Sequence, residues 1–251
     1  MASKKRRVPS KWVKTAVLVR NKRVRRAIPQ TMLYRASTLD KLLRRHGMVY
    51  VKPDHGQQGR GVMRVQQNNS KGTSFSVQRG DRIHSRLTWR QLVRELRPYT
   101  RNHVHVVQQG VDLLRYNGRI LDIRAVTQVD RSWKWHFTGM VARIAQPRKA
   151  VTNGSQGADI TPVPFVITRN GRSIETYNRI EAEIRQLCLL SARVLSRKYP
   201  FLQELGFDIG LDQKLRPWII EVNTKPDVKP FSKISDHTMY YRILRYRRNF
   251  K

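Results

Sequence analysis

Two of the 17 acidic residues sit where acids are expensive. Asp208 in GFDIGLD and Glu221 in WIIEVN are each embedded in apolar, strand-like sequence, where an ionised carboxylate is costly unless a cation meets it. Asn223 follows Glu221 by two residues, and strand side chains repeat with period two, so its amide falls on the same sheet face. With the two strands adjacent, two carboxylates and an amide oxygen form a hard oxygen site of the kind that takes Mg²⁺ together with phosphates. The same residues also read as buried pairs to Lys or Arg, and geometry alone leaves the two readings even.

A second stretch, YVKPDHGQQGRGVMRV (residues 50–65), puts Lys52 inside a strand and follows it with Gly56, Gly59 and Gly61. It is not GxxxxGK[ST], since neither Lys-Ser nor Lys-Thr follows Gly61, and its glycines are in the wrong order for GxGxxG. Glycines so placed permit positive φ and close backbone approach, presenting N–H groups to an anion. A plain hairpin turn is the alternative.

These residues need elements to position them. KWVKTAVLV (11–19) alternates like a strand, STLDKLLRRHG (37–47) reads as a capped helix, and MVYVK (48–52) as a strand. VMRVQQ (62–67) and FSVQR (75–79) form a hairpin, TWRQLVRELRP (88–98) a helix stopped by Pro98, and HVHVVQQ (103–109) a strand. Two long strands follow, RILDIRAVTQV and WKWHFTGMVARI, then the polar loop RKAVTNGSQGAD. The helix over 179–199, two strands carrying Asp208 and Glu221, and a basic C-terminal helix DHTMYYRILRYRR complete the chain. The pattern is α+β, with a basic disordered tail over 1–10, one lobe over 11–110 and a second over 111–251.

A chain of 251 residues with 39% hydrophobic composition buries a sizeable core. Its charge is the anomaly: 51 Lys and Arg against 17 Asp and Glu give +34, which implies a polyanionic partner or environment. The single cysteine, Cys188, falls on the apolar stripe of the long helix and reads as core packing. No stretch has the ~18 to 20 apolar residues of a membrane span, which points to an intracellular, soluble chain, and the early KKRR reads as a basic tail before a nuclear signal. The seven histidines show no metal spacing, although the strand reading of HVH places His103 and His105 on one face.

Lys52 with GQQGRG, QQGV at 108–111, DIR at 122–124, and Asp208 with EVN at 221–223 together resemble, in order and spacing, the ATP-grasp superfamily. The phrases IPQT, TGMVARI, TNGSQGA and GFDIGLDQKLRPWIIEVNTKPD are most similar to the endospore coat-associated YheC/YheD-type family. The resemblance runs from about residue 11 to 240. It implies two α+β lobes with ATP in the cleft between antiparallel sheets, and Mg²⁺ held by Asp208, Glu221 and Asn223. It gives Lys52 the α and β phosphates, and makes the loop with Gly56, Gln58, Gly59 and Gly61 a lid over the triphosphate, with Arg60 at its tip. Backbone groups around Gln108, Gln109, Gly110 and Val111 would pair with adenine, and Asp112 would reach the ribose. Arg124 would stabilise the transferred phosphoryl group, its fixed charge and forked donors suiting that task. Arg143 and Asn153 would lie beside the phosphate and an acyl intermediate.

Two departures stand out. The family loop reads Asn-Leu-x-x-Gly-Gly, whereas this chain has Asn153-Gly154-Ser155-Gln156-Gly157-Ala158. Little sequence precedes the first lobe, so a partner protein is one way to supply the acceptor site. The implied activity is that of an ATP-dependent carboxylate–amine ligase acting through an acyl phosphate on an acidic peptide or anionic polymer. An ATP-grasp kinase, and a basic spore-coat or polyanion-binding protein that keeps the fold, are the alternatives, with nucleic acid a less favoured partner. The expected location is cytoplasmic or spore-associated.

Overall fold

The computed structural model describes residues 7–56, 59–68, 73–147 and 157–249. In chain order the elements are α1 (Lys11–Leu18), α2 (Lys22–Arg25), β1 (Thr31–Leu33), α3 (Ala36–His46), β2 (Met48–Pro53), β3 (Met63–Gln67), β4 (Phe75–Arg79), β5 (Arg82–Leu87), α4 (Trp89–Thr100) and β6 (His105–Gln109). Then come β7 (Arg115–Tyr116), β8 (Arg119–Val129), β9 (Trp135–Ile144), β10 (Asp159–Thr161), α5 (Val163–Arg169), α6 (Ile174–Lys198), β11 (Glu204–Leu211), β12 (Pro217–Asn223), a 3-10 turn (Lys229–Lys233) and α7 (Thr238–Arg248).

They build two antiparallel sheets, ordered β1-β6-β2-β3-β4-β5 and β10-β9-β8-β11-β12, with β7 pairing β8. Period two sorts each strand into a core face and a cleft face. On β2, Val49 and Val51 enter a core closed by Leu39, Leu42, Leu92 and Leu96 of α3 and α4, while Tyr50 and Lys52 turn to the other side. On β8, Leu121, Ile123 and Ala125 pack with α6, leaving Asp122 and Arg124 opposite. Further along that opposite face, Val126 is covered by Phe231 and by Ile243 of α7.

The strand expected at 11–19 is a helix. An alternating stretch this short fits both periods, and the caps decide: the Ser10 hydroxyl accepts from Val13 N, Asp54 Oδ1 accepts from Trp12 N at 2.7 Å, and Lys14 and Leu18, one turn apart, are the buried pair. α1 and α2 pack against α6 of the second sheet, and Val8, Leu18, Val24 and Ile28 join that sheet's core. Residues 11–28, expected with the first lobe, therefore bury their apolar side with the second. Nor are residues 7–10 a tail: Val8 and Ser10 are buried, and Val8 N donates to Thr224 Oγ1 at 3.2 Å. Pro98 does not stop α4, which runs to Thr100. A proline in the last turn removes one helical bond and leaves the preceding ones intact. β5, β10 and α5 were not read from the sequence. His103 lies outside β6, its carbonyl accepting from the buried His105 Nδ1 at 2.8 Å, so the two rings do not share a strand face.

Candidate active site

A cleft of about 270 Å³ opens between the sheets. From the first sheet it is lined by Tyr50, Lys52, Gln108 and Gln109, with Gly56 and Gly59 from the glycine-rich loop. Val111 follows at the crossing between sheets. The second sheet supplies Arg124, Arg143, Asp208, Glu221 and Asn223. Residues scattered over 170 positions of sequence thus share one wall-to-wall space, because both sheets turn their non-core faces toward it.

Lys52 is buried and donates to Gln108 Oε1 at 2.6 Å. Gln108 in turn donates to Thr31 Oγ1 and, across the cleft, to Ile220 O at 3.4 Å. Burial pushes the Lys52 ammonium down to about 8, with the Glu221 charge resisting. Lys14 of α1 is buried beside the same cleft, is likewise pushed down to about 8 by burial, and donates to the carbonyls of Val8 and Pro9. Both are cations denied water, and a bound anion would relieve them.

On the opposite wall Asp208 and Glu221 are register partners on β11 and β12. A register shift beside them leaves Ile220 as the extra residue, so Ile220 and Glu221 both face the cleft. Asp208 Oδ1 accepts from Arg124 Nε at 2.8 Å and lies 2.9 Å from Arg143 Nη2. Arg143 is itself held by Asp122 through two hydrogen bonds of 2.7 and 2.6 Å. Arg124 Nη1 also donates to Asp227 O at 3.3 Å. Burial alone would push the Asp208 carboxyl up, yet the two guanidiniums outweigh it and hold it below the usual carboxylate range. The buried-pair reading of Asp208 is thus realised. Glu221 differs: its ion pair with Lys11 is long, at 3.9 Å, and its charge also acts on Lys52 and Lys14.

Two carboxylates and an amide on one cleft wall are hard oxygen donors. Both arginines reach Asp208 through Oδ1, and the ion pair of Glu221 with Lys11 is long, at 3.9 Å. The set fits a divalent cation bound partly through phosphate, although among the described residues no third His, Cys, Asp or Glu joins it.

Gln58 and Asn153 lie outside the described residues. Gly61, Gly110 and Asp112 are off the cleft lining. Gly61 is a backbone requirement: φ is +74°, and a Cβ would sit 2.9 Å from Pro53 Cγ. At Gly110 a Cβ would collide with the Met48 side chain and stand 2.9 Å from its carbonyl oxygen. Asp112 is exposed, and nothing places it at a ribose. The Gln109 N–H is spent on Gln30 O at 2.8 Å, which removes it as an adenine donor. Sequence reading missed Tyr50, Asp122 and Lys14, and the segment Arg7–Pro9 that lines the cleft. Asp122 stood in the DIR phrase, whereas Lys14 was hidden by taking α1 for a strand.

Two antiparallel sheets with a cleft between them are the architecture of an ATP-grasp fold. The chain belongs to the YheC/D-like ATP-grasp family, whose model matches residues 3–250. It is 25% identical over 233 residues to the endospore coat-associated protein YheD of Bacillus subtilis (strain 168), covering 91% of this chain and 50% of that protein. The chain therefore spans half the length of that relative. Among solved structures it is similar to the D-cycloserine synthetase DcsG, with a TM-score of 0.60 and 12% identity over 96% of this chain and 70% of that one. It is also similar to the N5-carboxyaminoimidazole synthetase of Staphylococcus aureus complexed with ADP, with a TM-score of 0.53 and 12% identity over 88% and 45% of the two chains.

Proposed function

We propose that this chain is an ATP-dependent carboxylate–amine ligase whose substrate is acidic. Residues 29–110 and 111–249 act as its two lobes, with the 7–28 segment bracing the second. The observation that carries the reading is the convergence of Lys52, Arg124, Arg143, Asp208, Glu221 and Asn223 on one cleft. A substrate carboxylate takes the γ-phosphoryl group of ATP and ADP leaves; an amine then attacks the acyl carbon and inorganic phosphate departs. Lys52 meets the triphosphate, and Arg124 with Arg143 offsets charge on the transferred group, so positioning and electrostatics supply the acceleration. Asp208, Glu221 and Asn223 would hold Mg²⁺, which when bound neutralises phosphate charge. The solved structures it resembles are synthetases, which supports the ligase reading, and the endospore coat association of YheD supports placing this chain in or near the spore.

The test is binding followed by product analysis. Mg-ATP at a hundred times its Kd stabilises the fold by ~2.7 kcal/mol, and mass spectrometry of reactions with acidic acceptors shows an amide product and free phosphate. Phosphate retained on the acceptor would make the chain a kinase instead. One observation favours a binding-only reading: Asp208 is already paired to two arginines, so its burial is compensated without metal. Absence of a thermal shift at millimolar Mg-ATP would decide for that reading.

A further inference from the structure

The segment ahead of α1 crosses the rim of the cleft. Arg7, Val8 and Pro9 line it beside Thr224, Lys225 and Pro226, where the chain has just left β12. Hydrogen bonds from both sides hold this strap. Val8 N donates to Thr224 Oγ1 at 3.2 Å, while Lys14 Nζ donates to Val8 O at 2.9 Å and to Pro9 O at 3.2 Å. Val8 is 7% exposed and Lys14 5%, so the strap is packed down as well as hydrogen-bonded.

Lys14 is the wrong residue for packing alone. Leu18, one turn later on the same face of α1, fills its place with carbon, whereas a buried ammonium loses its hydration and needs partners. Its partners are the two strap carbonyls, so what the charge secures is the course of residues 7–9. A residue that breaks a local rule beside a cleft marks a functional device.

What the strap carries over the cleft is Arg7. The cations that line the cleft are Arg7, Lys14, Lys52, Arg124, Arg143 and Lys225. Lys14 is taken by the strap, Lys52 by Gln108, and Arg124 and Arg143 by Asp208; Lys225 is engaged as well. Arg7 is exposed, and among the described residues it makes neither a hydrogen bond nor an ion pair. It is the cleft cation left to meet an incoming acid.

We infer that Arg7 binds a carboxylate of the acidic substrate and so selects it, and that Lys14 is the positioning residue that holds Arg7 over the cleft through the strap. The fork of a guanidinium matches a carboxylate in two parallel hydrogen bonds. ATP phosphate is the rival anion, but Lys52 and the glycine-rich loop belong to the first sheet's wall, whereas the strap is tied to the second sheet's side at Thr224. The inference rests on the ligase reading for the acid that enters, and adds the residue that recognises it.

The test is anisotropy titration of triglutamate, carrying a neutral fluorophore, with the full chain at ~0.15 M salt, where exposed charges more than ~8 Å apart are screened. Arg7→Gln should weaken binding roughly tenfold and keep the wild-type thermal shift with Mg-ATP. Arg7→Lys should recover part of the loss, and Arg23→Gln, which removes an exposed cation of α2, should change nothing. Lys14→Met keeps the side-chain volume and frees the strap. It should weaken triglutamate as much as Arg7→Gln does, speed amide exchange at Val8, and add nothing in the double variant, because a positioning residue acts through the group it positions. No triglutamate binding by the wild type, no loss in Arg7→Gln, or an equal loss in Arg23→Gln overturns the inference, whatever Mg-ATP does. Loss of the Mg-ATP shift in Arg7→Gln also overturns it, by placing Arg7 on phosphate, and additive losses in the double variant overturn the role of Lys14. A wild type that binds triglutamate through Arg7 yet shows no Mg-ATP shift sinks the ligase reading instead and leaves the Arg7 site standing.

Discussion

Asp208 and Glu221 were interchangeable in the sequence, and the structure makes them unequal. Asp208 takes two arginines on one oxygen, so Asp208→Asn leaves Arg124 and Arg143 around a neutral amide. Breaking a buried pair from one side costs about 3 kcal/mol, and the variant should lose both turnover and melting temperature. Glu221→Gln removes a carboxylate whose ion pair with Lys11 is long, at 3.9 Å, and should lose turnover while costing less melting temperature than Asp208→Asn. Equal thermal effects would mean that the Asp208 pairing does not hold in solution. Lys52 gives a pH-dependent counterpart. Its folded pKa, about 8, lies below the ordinary lysine value of 10.5, so the unfolded chain binds the proton more tightly. Stability is therefore penalised below about pH 8 and recovers as pH rises toward 10.5. A bound phosphate reverses the depression, so ATP binding near pH 8 should take up a proton, read as a buffer-dependent calorimetric enthalpy. Proton release, or none, would remove Lys52 from the phosphate site.

At the scale of elements, the strands that carry chemistry were legible because each has a long, clean period. β8 runs over the residues read from the alternation, and β11 and β12 are neighbours as expected. Short elements were not. α1 spans eight residues, too few for 3.6 and 2.0 periods to separate, and what selects the helix is Ser10 and the distant Asp54, the second of which no local pattern contains. β5 is exposed over all but its last residue, Leu87, and so has no continuous apolar face to announce it. Ser10→Ala tests the capped helix directly. Loss of the N-cap should cost ~1 kcal/mol and weaken the Arg7–Pro9 segment against the cleft, seen as faster amide exchange at Val8, whose N–H bonds Thr224. A variant as stable as wild type would deny the cap its role. Arg143 shows a further limit of sequence reading: its partner Asp122 lies 21 positions earlier, and only the β8–β9 register brings them opposite.

For the whole molecule, the net charge of +34 is the property that neither fold nor cleft requires. The cleft accounts for few of the 51 basic residues, and several of those, Arg124 and Arg143 among them, are neutralised internally. The C-terminal helix also offers less to nucleic acid than its tyrosines suggested: Tyr246 packs against His136 with the rings tilted and Tyr240 packs against the core under α7, leaving Tyr241 exposed. An unpaired excess of this size repels itself in free solution and draws a polyanion. A ligase needs a carboxylate, which polyglutamate or an anionic envelope polymer bearing carboxylates provides and nucleic acid does not. We therefore expect a carboxylate polymer to raise the rate of ADP formation, and an oligonucleotide to bind without raising it. Counterion release makes both weaken with salt, so salt sensitivity does not discriminate; turnover does. Arg124→Ala, which removes a cation of the cleft, should abolish the stimulation. Stimulation by none of the carboxylate polymers would remove the acidic substrate from the proposal.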